Sequence, residues 1–343
     1  MLIFSIIGTL IGAGFASGQE MYLFFYRFGL NGILGLILCS GLISMVIYKT
    51  FMIVNTRKIY NYDDFLQEIF PSKKISNISN IIVNAFLLIT FYIMISGFGA
   101  YFEQQFQINS IIGAIILASI SFVVLLKDIG GVKKVNSIVV PILIVVIFII
   151  GFLSLKNIFS RSGEIWQENF VNKYSFSWIL QAVVYCSYNM ILVIPVLVNL
   201  GKYIKSKKQI AFVSVLSGVI ILVLAMSIYL VLTSVETDYS KIQMPAVYAI
   251  DNNFPQFSGV YGIVILLSIF STAISIGISF LKNITKNKRS YPQFVAIMCI
   301  SGVLISNFGF SNLVKMLFPI FGYLGIVQIC CILKNKTMKK QIY

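Results

Sequence analysis

Ten predominantly apolar stretches, each about as long as a membrane-spanning helix, leave little of this chain for any other structure. A spanning helix needs ~20 such residues. Only 11% of the 343 residues are charged, whereas soluble domains carry about a quarter. We therefore predict an all-α polytopic membrane protein with a single transmembrane domain over residues 1–343. The stretches are 2–26, 29–55, 75–104, 108–126, 136–155, 177–203, 208–235, 258–281, 291–308 and 311–333.

The first stretch is interrupted by the segment "IGAGFASGQE", residues 11–20. Gly12, Gly14 and Gly18 let the backbone leave the helix at low steric cost. An unwound segment exposes carbonyls at the end of the inner half-helix and N–H groups at the start of the outer one, and in hydrocarbon these groups must find partners. Carbonyls suit a cation, and N–H groups suit a carboxylate. The segment therefore predicts a binding site inside the membrane.

The sixth stretch carries a similar polar cluster, "YCSYN", at residues 185–189. Among ten spans, the first and sixth are the opening helices of two groups of five, and the second group enters the membrane from the opposite side. Matched interrupted helices in inverted halves indicate a secondary transporter. We predict a 5+5 inverted repeat, about 1–155 and 177–333, with spans one and six discontinuous. Two polar kinks packed against neighbouring helices are the alternative interpretation.

The formal net charge of +15 reflects topology rather than nucleic-acid binding. If the N-terminus is cytoplasmic, most of the 26 Lys and Arg residues fall on the inner side. The positive-inside rule then predicts that both the N- and the C-terminus are cytoplasmic. The basic residues left outside are Arg27, Lys156, Arg161, Lys173, Lys241 and Lys315.

Two features of the chain each allow two interpretations. The segment "SGQE" has the form of a capping box, with Ser17 as N-cap and Glu20 reaching back to it. Buried acids at this depth are also functional candidates, so Glu20 is either a helix cap or a proton or substrate-amine site. The outer segment "YSKIQMPAVYAIDNNFPQF" contains a short helix beginning near Pro245, which is either an outer lid or an interfacial amphipathic helix.

The motif "GAGFASGQE" resembles the first-helix motif of the bacterial YkvI-type permeases, within the amino acid–polyamine–cation superfamily that shares the LeuT-type fold. The resemblance implies that the backbone of the first break and the cluster in span six contact the substrate. Gly12-Ala13-Gly14 is similar to the element that receives the substrate carboxylate in that superfamily. The implied substrate-binding residues are Gly12, Ala13, Gly14, Phe15, Ala16, Ser17, Tyr185, Ser187, Tyr188 and Asn189.

Span eight contains the hydroxyl-rich stretch "SIFSTAISIGIS", residues 268–279. Such hydroxyls often bond their own helix backbone or permit close helix packing. Ser271 and Thr272, however, resemble the paired hydroxyls that bind sodium in sodium-coupled members of this fold. The resemblance adds Ser268 and the carbonyls of Gly8 and Ile11, and oxygen ligands suit hard cations. Na⁺ is thus a possible ligand, and no transition metal is expected.

The chain has no histidine, which removes a His-based triad and the usual metal ligands, and it has no phosphate-binding P-loop motif. We expect no enzyme and no resident cofactor. The predicted function is secondary active transport of a small zwitterionic solute, with an amino acid as the expected substrate, coupled to Na⁺ or H⁺. The alternative is a ligand sensor or receptor subunit that keeps the fold without transport. The expected partners are the solute and the lipid bilayer, without nucleic acid.

Overall fold

A computed structural model of the chain describes residues 2–126, 132–160, 177–204, 206–285 and 289–335. Helices make up the regular structure of the described residues. In chain order they are α1 (Leu2–Leu10), α2 (Ala13–Ala16), α3 (Gln19–Phe24), α4 (Leu30–Arg57), α5 (Tyr62–Ile69), α6 (Lys73–Phe106), α7 (Ser110–Leu126), α8 (Val132–Ser160), α9 (Ser177–Leu200), α10 (Lys207–Thr233), α11 (Pro245–Asn253), α12 (Pro255–Ile284), α13 (Tyr291–Ser306) and α14 (Phe310–Lys334).

The described helices have the length and surface of a multi-pass membrane protein. Six of them, α4, α6, α9, α10, α12 and α14, are long and apolar enough to cross a bilayer. The outward faces carry large apolar side chains, among them Phe152, Ile297 and Leu304, which are 65%, 63% and 65% exposed. An apolar surface of this extent is unfavourable in water, and lipid removes that cost.

Several helices begin at a side chain that accepts a hydrogen bond from the first turn. Asn61, Ser72 and Ser206 are the N-caps of α5, α6 and α10, and in each the side-chain oxygen accepts a backbone N–H two or three residues later. Each cap satisfies one of the N–H groups that the start of a helix leaves without a partner.

The first span is broken, as the sequence predicts. The helix α1 ends at Leu10, α2 is a single turn that begins at Ala13, and α3 restarts the helix at Gln19. Between α2 and α3 the backbone of Gly18 has a φ of 78°, in the left-handed region. A glycine adopts this conformation without steric cost, so the turn at Gly18 requires this residue type.

The sixth span is not broken, which contradicts the predicted discontinuity. The helix α9 continues from Ser177 through Leu200. Within it, Ser187 Oγ donates to Val183 O at 2.7 Å, and Asn189 Nδ2 donates to Tyr185 O at 3.0 Å. The cluster contains no glycine, and two of its polar side chains bond the backbone of the preceding turn. The polar sequence therefore decorates a regular helix instead of unwinding it.

The long helices pack as two groups with the first span between them. The helix α9 packs against α4 and α14, and α4 also packs against α10. In the other group, α6 packs against α7, α12 and α13. The segment α1 contacts α8, α9 and α10, and α2 contacts α6 and α12. The broken span is thus buried where the two groups meet.

We predict that Gly18→Ala destabilises the protein. A left-handed backbone costs a non-glycine residue about 1–2 kcal/mol, and an added Cβ would lie 2.8 Å from both the Cβ and the backbone nitrogen of Ala246. Gly41→Ala is the control, because a Cβ at Gly41 in α4 meets no atom within 4 Å. Thermal unfolding of the purified proteins in detergent measures the difference. Equal midpoints for both variants would contradict the assigned backbone conformation.

Candidate solute and ion site

The backbone carbonyls of the break bond to residues that are distant in sequence. Ser268 Oγ in α12 donates to Ile11 O at 3.4 Å. Tyr261 Oη, also in α12, donates to Ala16 O. The backbone N–H of Ala246, in α11, donates to Ser17 O at 2.8 Å. These bonds supply the partners that carbonyls inside the membrane need.

A small cavity, the hydroxyl cavity, lies beside the inner end of the break. Its volume is about 10 Å³, close to the smallest space that holds one water molecule. Its lining includes all five residues that the sequence predicts as ion ligands. The lining residues are Gly8, Ile11, Val140, Leu143, Ser268, Ser271 and Thr272.

The oxygen atoms around the hydroxyl cavity are only partly used in other bonds. Ser271 Oγ is buried and has no hydrogen-bond partner. The last carbonyls of a helix have no intrahelical partner, and Gly8 and Ile11 lie at the end of α1. Further along α12, Ser275 Oγ and Ser279 Oγ donate to Ser271 O and Ser275 O, at 2.9 and 2.8 Å. Ser275 and Ser279 therefore bond their own helix backbone, whereas the Ser271 hydroxyl does not.

A second cavity of about 60 Å³ adjoins the first and shares Gly8 and Thr272 with it. It continues along α12 past Ser275 to Ser279 and is closed on its other sides by α1, α6 and α9. The two cavities together follow one face of α12 from the break toward the C-terminal end of that helix. The residues that line one or both of the cavities are Gly8, Thr9, Ile11, Leu87, Val140, Leu143, Leu192, Val196, Ser268, Ser271, Thr272, Ser275, Ile276 and Ser279.

The capping-box interpretation of Glu20 is wrong. The N-cap of α3 is Gly18, which has no side chain, and the Ser17 hydroxyl rather than the Glu20 carboxylate bonds the backbone at this helix start. The N–H that Glu20 would have bonded is already used, because Ser17 N donates to Ala13 O at 2.8 Å. The Ser17 hydroxyl instead donates to Gly14 O at 3.1 Å and accepts from Gln19 N at 3.3 Å. Glu20 therefore has no role in ending or starting a helix.

The Glu20 side chain instead turns back into the break. Its carboxylate occupies the space beside Gly14, where an added Cβ would come within 2.2 Å of Glu20 Oε1. The phenols of Tyr185 and Tyr188 in α9 face this carboxylate. Glu20 Oε2 and Tyr188 Oη are nevertheless both buried without a hydrogen-bond partner. We call Gly14, Glu20, Tyr185 and Tyr188 the Glu20 cluster.

The other predicted substrate residues are distributed around this cluster. Asn189 lies near both tyrosine phenols. Ser187 lies on another side of α9, since its carbonyl is 2.8 Å from where a Cβ of Gly325 would be. Gly12 adjoins Thr272, and the rest of the break is buried. Those buried residues are Ala13, Gly14, Phe15, Ala16 and Ser17.

The site also contains residues that the sequence analysis missed. Tyr261 and Ala246 bond to the break from α12 and α11, and no feature of their local sequence indicated it. Gln19 Nε2 donates to Ser311 Oγ at 3.0 Å, which ties the break to the start of α14. Gln19 could have been suspected, because it is an amide inside an apolar stretch.

The short helix α11 covers the α3 end of the break. Five of its residues are buried: Pro245, Ala246, Val247, Ala249 and Ile250. Met244, the residue before α11, is bonded to Gln104 in α6. Gln104 Oε1 accepts from Met244 N at 3.0 Å, and Gln104 Nε2 donates to Met244 O at 3.1 Å. The predicted helix at Pro245 is present, and it packs into the protein.

Comparison with curated proteins identifies relatives over nearly the whole chain. The chain is homologous to the uncharacterized membrane protein YkvI of Bacillus subtilis, with 29% identity over 99% of this chain and 96% of YkvI. It is also 25% identical to the uncharacterized protein YyaD of Bacillus subtilis, over 98% of this chain and 96% of YyaD. These relatives confirm the resemblance seen in the first span. No family model matches the chain.

Comparison with solved structures identifies the fold. The chain superimposes on MhsT in complex with L-phenylalanine with a TM-score of 0.67, at 16% identity, over 96% of this chain and 87% of MhsT. For the inward-facing conformation of Mhp1 the TM-score is 0.64, at 12% identity, over 96% and 75%. A manganese transporter of Eremococcus coleocola gives 0.52, at 13% identity, over 96% and 70%. The protein therefore has the LeuT-type fold of membrane transporters, and these comparisons indicate no enzyme.

We predict that the contact between Gly14 and Glu20 is visible in a double-mutant cycle. Gly14→Ala should lower the free energy of unfolding by about 1–3 kcal/mol, because the new methyl group displaces a buried carboxylate. In a Glu20→Ala background the same change should cost much less. Gly12→Ala is the control, since the nearest atoms to its added Cβ lie at 3.8 and 3.9 Å. An equal cost of Gly14→Ala in both backgrounds would place the carboxylate elsewhere.

Proposed function

We propose that the protein is a secondary active transporter of a small zwitterionic solute, an amino acid, coupled to Na⁺ or H⁺. The LeuT-type fold, shared with transporters, supports this proposal, and MhsT is a neighbour that was solved with L-phenylalanine bound. The proposal includes ten spans in a 5+5 inverted repeat. It also includes a bacterial plasma membrane location with both termini in the cytoplasm, which follows from the distribution of basic residues.

The hydroxyl cavity is the observation that carries the proposal. It brings together the carbonyl end of the broken helix α1 and the hydroxyls of Ser268, Ser271 and Thr272 in α12. Carbonyl and hydroxyl oxygens are ligands that hard cations accept. Ser271 Oγ lacks a hydrogen-bond partner, and a buried polar group without one costs about 1–3 kcal/mol. A bound Na⁺ would remove that cost at Ser271 while joining α1 to α12.

The proposed mechanism is alternating access, because the proposed ligands bind at the break, between two groups of helices. The break lies between the group that contains α4 and α9 and the group that contains α6 and α12. Ligands that bind both groups in one arrangement and not in another shift the equilibrium between the arrangements. In this proposal, α11 is an outer lid rather than an interfacial helix, because five of its residues are buried and Ala246 bonds the break. In this proposal, the second cavity is the beginning of the path by which the solute reaches the inner side of the membrane.

We predict that Na⁺ alone stabilises the purified protein against heat. A ligand present at 100 times its dissociation constant adds about 2.7 kcal/mol. Melting curves are recorded in NaCl and in choline chloride at equal ionic strength and fixed pH. The double variant Ser271→Ala/Thr272→Ala should lose the difference. Ser214→Ala should keep it, because the Ser214 hydroxyl bonds its own helix at Ile210 O, at 2.8 Å. Identical wild-type curves in both salts would reject the sodium site and leave protons as the coupling ion.

Uptake into proteoliposomes tests transport itself. We predict that reconstituted protein accumulates at least one radiolabelled amino acid above its external concentration when an inward Na⁺ or H⁺ gradient is imposed. Collapse of both gradients with ionophores should abolish the accumulation. A sensor or receptor binds its ligand without accumulating it. Saturable binding in detergent together with zero gradient-driven uptake would therefore favour the receptor alternative.

A further inference from the structure

The Glu20 carboxylate is buried without a countercharge among the described residues. Its side chain is only 4% exposed, and Oε2 has no hydrogen-bond partner. Within the described ranges, the ion pair found is that of Arg57 and Glu68 at the inner end of the bundle, 3.1 Å apart. No Lys or Arg appears among the buried polar residues of those ranges. A buried carboxylate without a countercharge is costly, so Glu20 is stable at this place either with a bound proton or beside a cationic ligand.

The Glu20 carboxylate lies beside a cluster of aromatic side chains. Tyr185 and Tyr188 face it, and their ring centroids lie 5.3 Å apart. Phe24 packs against both rings, at 5.4 and 5.5 Å. Phe318 packs against Tyr188 at 4.7 Å. The faces of aromatic rings attract cations and repel anions. A positive charge placed between these rings is therefore favoured both by the rings and by the carboxylate.

The unsatisfied polar atoms near the start of α3 are mostly acceptors. Glu20 Oε2 can only accept when the acid is ionised, and the phenol of Tyr188 can accept or donate. Gln19 Oε1 is also buried without a partner, while Gln19 Nε2 is already bonded to Ser311. A primary ammonium group carries three donors and no acceptor. Its hydrogen-bonding capacity matches these acceptors. A carboxylate could accept only from the tyrosine phenols, and it would lie beside the like charge of an ionised Glu20.

We propose that the transported solute presents a protonated amine to Glu20, and that the rings of Tyr185 and Tyr188 enclose this amine. The inference rests on the proposed function, since it assumes that the Glu20 cluster belongs to the solute site. It assigns the recognition of the solute's amine to the side chain of Glu20. A solute that carries a carboxylate without an amine is excluded.

The test is ligand binding to the full-length protein in detergent, measured by thermal shift in NaCl. The probes are matched triples built on alanine, leucine, phenylalanine, glutamine and lysine. Each triple contains the amino acid, the amine without its α-carboxylate, and the acid without its α-amine. At least one amino acid should bind. Its decarboxylated amine should retain measurable affinity, and its deaminated acid should give no shift.

Variants at Glu20 separate charge recognition from packing. Glu20→Gln keeps the size of the side chain and should weaken binding of that amino acid about 100-fold or more, as expected when one member of a buried charge pair is lost. Glu20→Asp keeps the charge and should retain the preference for the amine over the acid. Glu68→Gln makes the same chemical change at the inner surface and should leave affinity unchanged. Size-exclusion profiles confirm that each variant is folded.

Three results would overturn the inference. These are binding of the deaminated acids, wild-type affinity in Glu20→Gln, and the lack of any shift by every amine-bearing probe. The second result would mean that Glu20 binds only a proton or has a packing role. Transport is judged separately by uptake. Amine binding without uptake would reject the transporter proposal and keep the amine site, whereas gradient-driven uptake of a deaminated acid would do the reverse.

Discussion

The structure depends on how the carbonyls of one broken helix are satisfied inside an apolar core. A continuous helix uses its own backbone hydrogen bonds and needs no neighbours for this purpose. The break in the first span removes that independence at Ile11, Ala16 and Ser17. The partners come from Ser268 and Tyr261 in α12 and from the backbone of α11. The position of the first span is therefore fixed by hydrogen bonds to helices more than 200 residues away in the chain.

The two ends of the break offer different electrostatic environments. At the α1 end, the lining of the hydroxyl cavity includes neutral oxygens, which in our proposal would replace the hydration shell of a small cation. At the other end, the Glu20 cluster contains one ionisable carboxyl group beside the phenols of Tyr185 and Tyr188. A cation in the hydroxyl cavity and an amine at Glu20 would bind through different oxygens and would not compete. Two positive ligands could then occupy one broken helix together, which cotransport requires.

The sequence predicted the parts of this protein that depend on local chemistry. Apolar length located the six helices that are long and apolar enough to cross a bilayer, and the glycines at 12, 14 and 18 located the break. The resemblance named Gly8, Ile11, Ser268, Ser271 and Thr272, and these residues line one cavity. Their ion-binding role stays a prediction.

The errors arose where a polar side chain had two possible partners. The cluster at 185–189 bonds its own helix, so its polarity did not signal a break. Glu20 could not cap α3, because Ser17 N was already bonded to Ala13 O. Both outcomes depend on backbone geometry that residue types alone do not specify. Tyr261 and Ala246 could not be predicted at all, since their partners were set by the tertiary fold.

The contact between Ala246 N and Ser17 O connects the break to the outer surface. Ser17 lies within a few residues of both Gly14 and Glu20, and Gly18 leaves no room for a side chain beside Ala246. A movement of α3 that repositions Glu20 must therefore also move the carbonyl that anchors α11. In the same way, Ser268 connects Ile11 to the helix that borders both cavities. Ligand binding at the break and the position of α11 are thus linked through hydrogen bonds to one short segment. A ligand that orders this segment would favour the arrangement in which α11 stays docked.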